Sequence, residues 1–170
     1  WQNDGWTTNE CWDKIMTYPL TLPVGSVLYF DTGTDAATPT WTKISEHNRA
    51  AINLDLNRIE KTQRMSNGSL RKIWIADKKE ISTSWGALPT YSTLTVDGGM
   101  GAADIKAFYL DKGKGTFKIK ISYNAVTARD EIVLASFTSC TFSISKRNIR
   151  STTASVPQEF WDVSLSLEEV

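Results

Sequence analysis

The chain has 170 residues, 41% of them hydrophobic and 22% charged, which is an ordinary balance for one globular domain with a real core. Its 19 basic and 19 acidic residues cancel, so no global charge draws it toward nucleic acid or an anionic membrane. No stretch approaches the ~20 apolar residues of a membrane-spanning helix, and the first residues lack the basic and apolar regions of a secretory signal.

Residues 1–24 are rich in tryptophan and irregular. Trp1, Trp6 and Trp12 follow neither a strand nor a helix period, and Pro19 and Pro23 oppose regular structure. This stretch reads as an N-terminal arm laid over its own domain or over a neighbour, with residues 25–170 as a single β domain. Residues 25–32 read as a short strand, 31–40 as a loop, and 41–50 as holding a turn of helix. Ile52, Leu54 and Leu56 then alternate with polar residues, and the period breaks before Ile59, as at a β-bulge.

The strongest local signal is Asn67-Gly68, flanked by strand-like sequence over 58–76. A two-residue Asn-Gly loop suits a type I′ turn, with positive φ at both central residues. A separate strand follows, with Ile81, Thr83 and Trp85 on one face and Ser82 and Ser84 on the other. Residues 86–99 read as a connection with a short strand around Leu94.

A helix is predicted over about 101–112, where Ala102, Ile105, Phe108 and Tyr109 make one apolar stripe and Gly113 stands at C′. The last third is strand: 117–123, 131–145 as one long strand or two joined by a kink, a polar loop over 146–158, and a final strand carrying Trp161, Val163, Leu165 and Leu167 on one face. About seven antiparallel strands and one helix make a mainly β (α+β) chain, an antiparallel β-sandwich or split barrel with one flanking helix.

No catalytic constellation stands out, and no enzymatic activity is expected. His47 is the sole histidine, GxSxG is absent, and no two of the acids are singled out as a pair. Residues 97–104, DGGMGAAD, lack the Lys-Ser/Thr of a phosphate loop. Two cysteines, Cys11 and Cys140, make no disulfide scaffold and read as free thiols ahead of a single bridge, and no zinc-ligand spacing exists, so neither metal nor cofactor is expected. Arg58, Lys61, Arg64, Arg71 and Lys72 cluster on the hairpin. Glu60, Asp77 and Glu80 dilute them, which favours a solvated or subunit-contacting surface over a phosphate reader. Trp85 and Trp161 fall on apolar faces; exposed tryptophans elsewhere would suit a carbohydrate-binding sandwich, the alternative from another class.

The run RIEKTQRMSNGSLRKIWIADKKEISTSWGALP resembles a pattern in virion tail proteins of tailed bacteriophages. There, an R-I-E run leads to R-M-x-N-G, a Lys-rich turn, an S-x-S-W strand and L-P. VDGGMGAADIKAFY resembles the loop and helix that follow, and FWDVSLSLEEV the closing strand. The resemblance covers roughly 45–170 and implies the tail-tube-like fold. It implies a non-enzymatic virion structural protein, first of all the tail tube subunit, with a terminator, distal or hub ring as the nearest alternatives. Its partners would be copies of itself in stacked, hexameric rings, other virion tail proteins, and genomic DNA passing through the lumen without specific binding. The location would be the virion tail, after assembly in the host cytoplasm, with no membrane involved. Arg64, Met65, Asn67, Gly68, Leu70, Arg71 and Trp74 would make the contact between rings, and Trp1, Trp6 and Trp12 the contact of the arm.

Overall fold

Alternation of apolar and polar residues along much of the chain leaves a sheet with one face to bury, and the sheet curls to bury it. The computed structural model describes residues 20–22, 27–34, 38–123, 130–148 and 158–170. Trp1, Trp6, Trp12 and Cys11 lie outside these residues. The strands are β1 (Leu20–Leu22), β2 (Val27–Asp31), β3 (Trp41–Lys43), β4 (Ile52–Arg64), β5 (Leu70–Pro89), β6 (Phe117–Ser122), β7 (Asp130–Asn148) and β8 (Gln158–Glu169), with one helix, α1 (Ala102–Asp111). They form one sheet in the order β1-β4-β5-β8-β7-β6-β2-β3, antiparallel at every pairing. The chain is therefore mainly β with a flanking helix, as its periodicity predicts.

Five strand spacings separate β3 from β5, roughly 24 Å in a flat sheet. Yet Ser45, two residues beyond β3, accepts a 2.7 Å hydrogen bond from Trp85 Nε1, and Ala50 N–H donates to Ser84 at 2.8 Å. Two residues cannot span that distance, so the sheet must curl until β3 approaches β5. The hydrogen bonding is thus one continuous, split-barrel-like sheet rather than two separate sheets. Its interior holds Leu28, Phe30, Ile52, Leu54, Ile81, Trp85, Ile119, Ile121, Val163, Leu165 and Leu167, each no more than 2% exposed.

The helix closes one flank. Phe108 stacks on Phe30 at 4.6 Å and meets Phe117 edge-on at 5.0 Å. Asp104, in the first turn, accepts the N–H of the N-cap Gly101 (3.0 Å), which the helix itself leaves free, and the N–H of Ser92 (2.9 Å) in the 3₁₀ turn Ser92–Leu94. A Cβ on Gly101 would stand 2.6 Å from the Thr90 carbonyl oxygen, so only glycine allows this approach.

Several local expectations are corrected. Gly113 is not a left-handed C′ residue; it lies in a 3₁₀ turn over Lys112–Lys114, where a Cβ would meet the Phe137 ring at 2.8 Å. Its small size serves packing. The hairpin loop has three residues, not two. Gly68 N–H donates to Met65 C=O and Met65 N–H to the Ser69 C=O, and Gly68 alone has positive φ, at 82°. This is a type I turn closed by a glycine bulge. Asn67 contributes its side chain, accepting from Ser69 N–H (3.0 Å) and Ser69 Oγ (2.7 Å).

The Lys-rich stretch at 77–80 is no turn, because β5 runs unbroken through it for 20 residues. Residues 41–50 hold β3 and a tight turn rather than helix, and Leu94 ends a 3₁₀ turn over Ser92–Leu94 rather than a strand. Residues 20–22, between the two prolines, form an edge strand, the one sheet position where flanking prolines cost no ladder bond.

Candidate functional site

The β4–β5 hairpin outruns the sheet. β1 pairs with β4 only at 52–54, and β8 pairs with β5 only from Glu80 onward. From Leu56/Lys79 to Arg64/Leu70 the two strands pair only with each other among the described residues. That ribbon projects roughly 25 Å at a strand rise of ~3.3 Å per residue. A lone two-stranded ribbon is marginal in water, and this one also exposes large apolar side chains: Met65 at 43%, Leu70 at 59% and Trp74 at 62%, with Ile59, Ile73 and Ile75.

Register assigns the faces. Paired residues share a face, so Glu60/Trp74, Thr62/Lys72 and Arg64/Leu70 lie on one side, and Lys61/Ile73 and Gln63/Arg71 on the other. The break predicted near Ile59 is present, but the extra residue is Ile75 on the opposite strand. Two cations are neutralised across the ribbon, by Arg58–Asp77 at 2.9 Å and Lys72–Glu60 at 2.7 Å. These exposed pairs add little stability, and they leave the hairpin less basic than its composition. The structure brings Arg64, Met65, Asn67, Gly68, Leu70 and Arg71 together at the tip, with Trp74 one ladder step below Ile73. Ile59, Ile73 and Ile75 join the exposed set. The signal that could have found them is a hairpin longer than the sheet has strands to cover.

The outer face of the sheet is the second feature. Across β4, β5, β8 and β7 it presents registered rows: Asn53, Ser82, Ser166, Ser139, then Ser84, Ser164, Thr141. A shallow groove of about 310 Å³ lies there. Above these rows Asp55, Glu80 and Glu168 stand directly opposite one another. Like charges so placed are unfavourable. Next to the ribbon, this face carries hydroxyls and carboxylates.

Two further polar clusters tie loops to the sheet. Asp97 accepts Ser45 Oγ (2.8 Å), Glu46 N–H (2.9 Å) and Gly99 N–H (3.3 Å), and pairs with Lys43 at 3.1 Å. Its burial alone would raise the carboxyl pKa. The bonds from Glu46, Ser45, Lys43 and Gly99 outweigh that and hold it well below the usual carboxylate range. In the groove lined by Asp31, Gly33 and Lys112, the Lys112 ammonium donates to the Thr32 and Gly33 carbonyls, and Asp31 accepts Gly33 and Thr40 N–H. Cys140 is a free, half-buried thiol whose pKa burial pushes up to about 12. No group of three His, Cys, Asp or Glu among the described residues could hold a metal ion.

Asp97 gives a pH prediction. A depressed carboxylate stabilises the fold fully above its unfolded pKa of ~3.9 and loses that contribution as pH falls through and below it. Asp97→Asn should cost about 2 kcal/mol at pH 7. The gap from wild type should narrow below about pH 4. Urea unfolding across that range would show it, and a pH-independent gap would refute the assignment.

No protein-family model and no curated protein matches the sequence. Among solved structures, the chain is similar to one described as the tail of an empty GTA particle with C6 symmetry. The two share 9% identity at a TM-score of 0.46, over 85% of this chain and 90% of the other.

Proposed function

We propose that this protein is a non-enzymatic virion structural protein, a tail tube subunit whose copies close into rings and stack into a channel for DNA. One observation carries the reading: a ribbon that leaves the sheet and exposes six large apolar side chains has no partner in its own described chain. Covering those side chains by a second subunit would remove an aggregation liability and join copies at once. The sequence resemblance to tail proteins over 45–170 points the same way. The hydroxyl and carboxylate rows of the outer face suit a channel wall. Phosphates meet no dense cationic surface there, and tight phosphate contacts would hold DNA rather than let it slide.

In this reading the N-terminal tryptophans clasp a neighbour, other tail proteins cap the ends, and the site of action is the virion tail. A terminator, distal or hub ring would use the same surfaces without extended stacking. Light scattering and negative-stain microscopy of the purified protein test the proposal. Tubes are the expected result, single rings would favour a terminal component, and a monomer at every concentration would overturn it. A discrete monomer or trimer binding a glycan array would favour the carbohydrate-binding alternative.

A further inference from the structure

β1 is short, but its register fixes a direction. Leu20 lies opposite Leu54 and Leu22 opposite Ile52, so the chain that enters β1 comes from the hairpin side of β4. Beyond Leu54, the edge of β4 from Asp55 to Arg64 faces no other strand among the described residues. Every second N–H along it points away from β5. Extended at the same register, residues 19 down to 10 fall opposite 55 to 64. β4 carries no extra residue over that length, because the one at the bulge is Ile75 on β5.

We infer that residues 10–19 continue β1 along this edge and turn the two-stranded ribbon into a three-stranded one. Charge selects the register. Glu10 falls opposite Arg64 and Asp13 opposite Lys61. These are the two cations of the β4 ribbon that pair with no acid among the described residues, since Arg58 is held by Asp77. Lys14 falls opposite Glu60, which Lys72 already holds, and Ile15 opposite the exposed Ile59. No like charges meet. Sliding the pairing by one residue sets Lys14 against Lys61 in one direction and Asp13 against Glu60 in the other, like charges both times. Pro19 suits an outermost strand and holds Tyr18 extended. Residues 10–19 show no apolar period because a strand on a projecting ribbon buries neither face, and residues 58–64 of β4 are likewise exposed on both. Three strands hold their shape in water where two are marginal, and the bare edge is closed. The arm splints the ribbon from its β4 side and leaves Leu70, Ile73 and Trp74 of β5 uncovered. Residues 1–9, at most roughly 30 Å of chain, then run past the tip with Trp1 and Trp6. None of this needs a second copy.

Residue-resolved amide hydrogen exchange on the unassembled full chain tests it. The N–H groups of 55–64 that point away from β5 should exchange about tenfold more slowly than in a chain lacking residues 1–17. That protection should survive dilution, since the arm is the chain's own. Asp13→Lys should lower it severalfold, and adding Lys61→Asp should restore it, which general damage to the fold would not do. Equal exchange with and without residues 1–17 would overturn the inference. Protection that fades on dilution would also overturn it, by assigning the arm to a second copy. Should the shortened chain not fold, the exchanged pair decides alone, and no recovery in the double variant counts against the register. A chain that never forms tubes can still show this protection, so the outcome is separate from that of the assembly reading.

Discussion

A chain lacking Met65–Leu70 is expected to fold normally and to form no stacked assembly. The deleted residues are the tip of the ribbon, and Met65 and Leu70 are 43% and 59% exposed. The core starts ten pairs away, at Leu54/Ile81. Between tip and core the ladder is held by backbone bonds and surface ion pairs, so the shortened ribbon can open its last pair to make a new loop. Surface changes of this kind shift stability by about 0.5 kcal/mol or less. Assembly is different, because buried apolar anchors near the centre of an interface carry most of its energy and the tip supplies two of them. The variant should keep its wild-type melting temperature and elute as a single small species. Normal tubes in negative stain would show that the tip is not the connector.

The fold was legible where burial follows a simple period. Ile81, Thr83 and Trp85, and Val163, Leu165 and Leu167, alternate as read and are all buried. Ala102, Ile105 and Phe108 likewise form the buried stripe of α1. What escaped the sequence was set by contacts between distant segments. The resemblance puts a Lys-rich turn at 77–80, yet β5 stays paired with β4 through all of it and Asp77 meets Arg58 across the strands, which keeps the backbone extended in spite of the like charges at Glu80. Asn67-Gly68 marked the turn correctly, but Asn67 acts through its side chain rather than through a positive φ. Gly113 resembled a helix stop because nothing local reveals the Phe137 ring above it. For the candidate site, the motif located the hairpin. Its projection depends on where β1 and β8 end, and no residue within 58–76 encodes that.

Phe30→Ala is expected to give the largest loss of stability of any single truncation proposed here. Phe30 is fully buried on β2, between the sheet and α1. Its ring stacks on Phe108 at 4.6 Å and meets Phe117 at 5.4 Å and Phe137 at 5.9 Å, so one truncation removes the centre of a four-ring cluster. The helix cannot settle into the gap. Its N-terminus is pinned by Asp104 and by the Thr90 carbonyl bond from Ala103 at 2.8 Å, while Gly113 already sits against Phe137. A hole of this kind costs about 3–5 kcal/mol, against a total of roughly 5–15 kcal/mol for a domain. The urea midpoint should fall steeply with an unchanged m-value, and a loss below about 1 kcal/mol would mean that the cluster does not hold the helix. The same variant separates the two ways assembly can fail. Where Phe30→Ala blocks stacking, the block should lift on adding a stabilising osmolyte as the fold recovers. The block caused by losing the ribbon tip should persist in every condition in which the chain is folded.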